Sequence, residues 1–72
     1  MKRQTLERRH VKLVKHLVHN KGLYPQEVSR YLGFIGRSGV SHIKHNRRWY
    51  DVDTPTKLVG EYLLFLFRTG NL

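Results

Sequence analysis

Apolar residues recur along this chain at helical spacing in four stretches, separated by polar connections that contain glycine or proline. From Thr5 to about His19, the positions Leu6, Leu13, Val14, Leu17 and Val18 return every three or four residues. Arg8, Lys12, Lys15, His16 and His19 fall on the other side, and His10 lies within the apolar arc as a partly buried structural residue. Thr5 suits an N-cap and Gly22 a terminator. Pro25 opens a second helix, where its missing N–H would be unpaired in any case; Val28 and Leu32 face inward with Tyr31 beside them, and Gly33 ends it. A third helix starts near Arg37 or Ser38, with Ser38 as cap, runs to about Asn46, and buries Val40 and Ile43. Trp49, Tyr50 and Val52 form an aromatic connector over the core, with Trp49 as its lid. Tyr50 is open between that role and stacking on exposed bases. Thr54 and Pro55 read as N-cap and first residue of a fourth helix over 55–69. Its main stripe is Leu58, Val59, Tyr62, Leu63, Phe65 and Leu66; Leu64 and Phe67 fall outside that arc, and Gly70 stops it.

The pattern predicts an all-α fold, a small bundle of about four helices in one domain over residues 1–72, with a mobile basic tail at 1–4. Segment 25–46 has the form of a helix-turn-helix: one short helix braces, and the next buries two residues and turns a polar face outward.

Charge adds to this picture. Fourteen Lys and Arg stand against five Asp and Glu, a formal net charge of +9. Four of the acids, Glu7, Glu27, Asp51 and Asp53, sit at or before helix starts, where the macrodipole favours them. The cations are therefore left to set the surface field, as expected of a phosphate-binding protein. The absence of cysteine excludes disulfides and thiolate metal sites. The N-terminus has no apolar core of signal-peptide type, and the longest apolar run, Tyr62 to Phe67, is too short for a bilayer. The expectation is a cytoplasmic protein without membrane contact, nucleoid-associated if the source is bacterial or phage.

With Val40 and Ile43 inward, a turn of 100° per residue puts Ser38, Ser41, His42 and His45 on the outer face of helix three. Such side chains can enter a major groove and hydrogen-bond base edges, and Arg37 can serve as reader or phosphate ligand. Lys44, Arg47 and Arg48 lie where phosphates would run, and Lys2 and Arg3 extend the basic surface. His42 and His45 can gain charge against DNA near neutral pH. His16/His19 and His42/His45 are each spaced i,i+3, yet no cysteine or nearby acid completes a metal set, so neither metal nor cofactor is expected. No acid is placed to orient a Ser/His pair and no P-loop is present, so the chain does not read as an enzyme.

Leu32-Gly33 and Ser38-Gly39-Val40-Ser41-His42, with Gly33 seven residues before Val40, resemble the C-terminal, Trp-repressor-like domain of the replication initiator DnaA. There an apolar–Gly pair ends one helix and a Thr-Thr-Val-x-His stretch opens the recognition helix. The chain departs from that pattern at Gly36, Arg37 and Gly39. Val40 to Val52, with basic residues before Trp49, is also similar to small phage helix-turn-helix proteins. Both resemblances imply double-stranded DNA binding.

The leading expectation is sequence-specific double-stranded DNA binding by a transcriptional regulator or a replication or recombination accessory factor. The alternative is a basic adaptor that binds a polymerase or replication protein through the apolar C-terminal helix. Leu64 and Phe67 would widen that surface and serve self-association as a homodimer. Structured RNA is a third partner that the charge allows.

Overall fold

Lys15 and His16, two polar residues in the middle of the first helix, organise the architecture. The computed structural model describes residues 7–72, so the basic tail with Lys2 and Arg3, the Thr5 cap and Leu6 lie outside the described residues. Helix α1 (Arg8–Lys15) continues directly into a π-helical turn over His16–Asn20. Gly22, at φ +70°, then ends it, with Leu23 N–H donating to Leu17 O at 3.0 Å. The six consecutive residues Leu13 to Val18 are all buried. A helix buried on every side is a central helix, and the extra residue of the π turn shifts the phase of all that follows it.

Lys15 and His16 therefore do not join the polar side where spacing alone puts them. Lys15 is 3% exposed and His16 1%. Each is satisfied: among the described residues, no buried side-chain nitrogen or oxygen lacks a partner. The Lys15 ammonium donates to Trp49 O at 3.0 Å, to Asn46 Oδ1 at 3.4 Å and to Val52 O. Asn20 Nδ2 donates to Pro55 O at 2.9 Å and lies 2.9 Å from His16 Nδ1. That makes Nδ1 the acceptor and leaves Nε2–H to donate to Glu61 Oε2 at 2.9 Å. His10 is buried, as its place in the apolar arc implies. Its Nδ1 accepts from Glu7 N–H at 3.1 Å, and its ring lies 5.1 Å from that of Phe34.

Helices α2 (Pro25–Leu32) and α3 (Arg37–Lys44) pack against each other across the turn at 33–36. Val28, Leu32, Val40 and Ile43 are buried, as their spacing predicts. Gly33 takes φ +79°, and Ser29 Oγ donates to Ile35 O at 2.8 Å, which ties the turn to α2. The α3 cap is Gly36, not Ser38, which is inside the first turn. Asn46 at φ +57° closes α3, with Arg47 N–H reaching back to His42 O at 2.8 Å.

Helix α4 (Lys57–Arg68) starts two residues later than Thr54-Pro55 suggests. Thr56 is the N-cap and its Oγ1 accepts from Val59 N–H at 3.3 Å. Its rotation also differs from the expected one. Gly60, Leu63 and Leu64 are buried and Phe67 packs on the core, whereas Leu58, Val59, Tyr62 and Phe65 are exposed. The self-association surface read at Leu64 and Phe67 is thus part of the core. The cause is Gly60, where a Cβ would overlap the His16 ring. Only glycine lets α4 approach there, and once position 60 faces inward, 63, 64 and 67 follow at helical spacing.

Gly60→Ala should destabilise the protein by about 1–3 kcal/mol, lowering Tm by roughly 4–8 °C per kcal/mol; an unchanged melting curve would show that α4 does not need this approach. Leu64→Glu should cost at least about 3 kcal/mol by burying an unpartnered carboxylate, read as a collapse of the cooperative circular-dichroism transition rather than a change in self-association.

Candidate nucleic-acid interface

The first turn of α2 and the outer face of α3 enclose an open groove of about 570 Å³. Arg37, Ser38, Ser41 and His42 line one side, Arg47 joins from beyond the helix end, and Tyr24, Pro25 and Gln26 complete it. Val40 and Ile43 are essentially inaccessible, and this fixes which way α3 faces. Positions 37, 38, 41 and 42 then share the opposite side. Gly39 has to be small: a Cβ there would stand 2.9 Å from the Ile35 side chain, which plugs the turn.

The groove is cationic and polar, with no acid among its lining residues. Glu27, the nearest acid in sequence to its α2 edge, is engaged by Tyr24 N–H at 3.1 Å. Gly36 caps α3 without a side-chain acceptor, so the positive end of the helix dipole stands beside Arg37 and Ser38. Two guanidiniums, an imidazole, three hydroxyls and an amide, set beside the Tyr24 ring and Pro25, offer an anion cationic donors over partly apolar walls.

Five of the residues expected from the sequence, Arg37, Ser38, Ser41, His42 and Arg47, come together here. His45 does not line the groove: it is the exposed C-cap of α3, one turn further on. Lys44 is half-buried on another side, and Arg48 is exposed on the following loop. Tyr24, Pro25 and Gln26 were not singled out from the sequence. Pro25 marked the helix start, but nothing local says what that start faces.

Partial burial, then the nearby Lys15 and Lys44, hold the His19 pKa below its ordinary value. Among the acids, the hydrogen bond from Arg8 keeps the Asp51 carboxyl below the usual range. For Glu61 the chief cause is the His16 bond, followed by Lys21 at 3.3 Å. A second, smaller basic cavity of about 230 Å³ is lined by His16, Asn20, Lys21, Lys57 and Glu61. Among the described residues no group of three His, Cys, Asp or Glu is arranged to hold a metal ion, and no helix is long and apolar enough to cross a membrane.

The chain matches no protein-family model, no curated protein and no solved structure.

Because the folded state lowers the His19 pKa, the unfolded chain binds the proton more tightly. Stability linked to this residue rises with pH just below the ordinary histidine value and is lost on acidification. Urea unfolding between about pH 5 and pH 7 should show a shallower stability slope for His19→Gln than for the wild type; identical slopes would remove this group from the balance.

Proposed function

We propose that this protein binds double-stranded DNA with sequence preference, using α2 and α3 as a helix-turn-helix whose groove-lining face docks in the major groove. The observation that carries this reading is the acid-free groove in which Arg37, Ser38, Ser41, His42 and Arg47 converge. Ser38, Ser41 and His42 offer short donors and acceptors to base edges, and Arg37 reaches a guanine edge or a phosphate. Arg47 holds the strand at the groove's edge, and Lys44, Arg48 and the +9 charge add salt-dependent affinity. His45 lies one turn beyond the groove, where it would meet the flank of a site. A unit that occupies DNA in this way suits a transcriptional regulator or an accessory factor in replication or recombination.

A second reading, a basic adaptor that docks on a polymerase or replication protein, draws on α4. Leu58 is 84% exposed and Tyr62 and Phe65 follow it on one face. This replaces the Leu64 and Phe67 surface with a different stripe of the same helix.

Selection from a randomised duplex pool at two salt concentrations tests the main reading. An enriched motif should survive the higher salt. At that site Ser41→Ala and His42→Ala should each cost about 1–3 kcal/mol and relax the preference, while Arg47→Ala should weaken all sequences alike and reduce the salt slope by about 1. A pool that enriches nothing, with binding that vanishes as salt rises, would sink base readout and put the adaptor first.

A further inference from the structure

We infer that the loop after α3 is a second DNA contact, in which the phenol of Tyr50 lies against the sugar–phosphate backbone beside the groove. This rests on the DNA-binding reading and extends its footprint beyond α3.

Tyr50 is 79% exposed, the most accessible aromatic of the described residues. It occupies a turn closed by Val52 N–H donating to Trp49 O at 3.1 Å. Both flanks are anchored. Trp49 packs on the core and Val52 is 3% exposed, and the carbonyls of both accept from the buried Lys15 ammonium. On the other side, Asp51 Oδ2 accepts from Arg8 at 2.7 Å. Trp49 takes φ +58°, a conformation that L side chains seldom adopt and that persists only where surrounding contacts impose it. A loop tethered this way holds the backbone beneath an exposed ring in place, with little backbone entropy left to lose on binding.

The surroundings specify what the ring meets. Arg47, at the start of the same loop, lines the groove, and Arg48 is exposed between it and Trp49. The acid next to Tyr50 is Asp51, and the Arg8 guanidinium offsets its charge, which weakens its repulsion of an approaching phosphate. Bases in a duplex are stacked and closed to an aromatic at the groove's edge. What the edge presents is deoxyribose and phosphate: apolar sugar for the ring and an anionic acceptor for the hydroxyl.

The test is fluorescence anisotropy of the full chain on a mixed-sequence duplex, since a backbone contact needs no preferred site. Tyr50→Ala should weaken binding about tenfold with the salt slope unchanged, because the phenol carries no charge. Tyr50→Phe should fall between that variant and wild type. Arg48→Ala should reduce the slope by about 1. Tyr62→Ala, which removes another exposed phenol, on α4, should bind as wild type does. If Tyr50→Ala disturbs folding, the ring signals of Tyr50 in the unaltered protein should still shift on adding duplex while those of Tyr62 do not. Wild type that binds no duplex overturns the DNA reading and this inference together. Arg47→Ala weakening the complex while Tyr50→Ala and the Tyr50 signals stay unchanged overturns the loop contact alone.

Discussion

An ammonium group inside the core of a 72-residue chain is a severe constraint, because desolvating it is unfavourable unless acceptors replace the lost water. Lys15 meets that demand with the carbonyls of Trp49 and Val52 and the side chain of Asn46. In doing so it ties the 46–52 segment to α1. Its neighbour His16 does the same in another direction, engaging Glu61 on α4 and, through Asn20, the carbonyl of Pro55. These adjacent polar residues, at the junction of α1 and the π-helical turn, fix the two parts of the molecule that have no helix-pairing turn of their own.

The candidate interface inherits its geometry from this arrangement. The helix α3 is positioned by Val40 and Ile43 below and by the Gly33–Gly36 turn at its start, where Ser29 holds Ile35. Its other end is set by Asn46, one of the Lys15 ligands. The groove and the loop beyond it are therefore parts of one preorganised surface. On the DNA reading proposed above, binding would order few groups, and the attraction of a +9 chain for phosphate would be less offset by entropy.

The fixed rotation of α4 has a second consequence. Turning Gly60 to His16 brings Leu63, Leu64 and Phe67 inward, and leaves Leu58, Tyr62 and Phe65 in solvent. Helix four is apolar on more than one side, so some exposure follows whichever face is buried. Close approach to a buried imidazole, and not maximal burial of side-chain area, selects the face.

The local chemistry of the sequence was sufficient for the four helices, the Gly33 turn, the inward pair Val40/Ile43 and hence the polar face of α3. Each follows from periodicity or from a single residue's backbone preference, and such signals act within a few residues. Apart from Asn20, the partners of Lys15 and His16 lie more than 30 residues away, at Asn46, Trp49, Val52 and Glu61. Spacing alone therefore put both side chains in solvent. The same gap misassigned the face of α4, because the mean apolar stripe carries no information about a glycine that must touch a ring on another helix. Tyr24, Pro25 and Gln26 joined the groove for a related reason. The sequence by itself determined which segments are helical and which side of α3 is polar, since those depend on neighbours along the chain. Tertiary structure decided which polar groups could be buried, how α4 rotates and what faces α3 across the groove, since those depend on partners that only folding brings within hydrogen-bonding or packing distance.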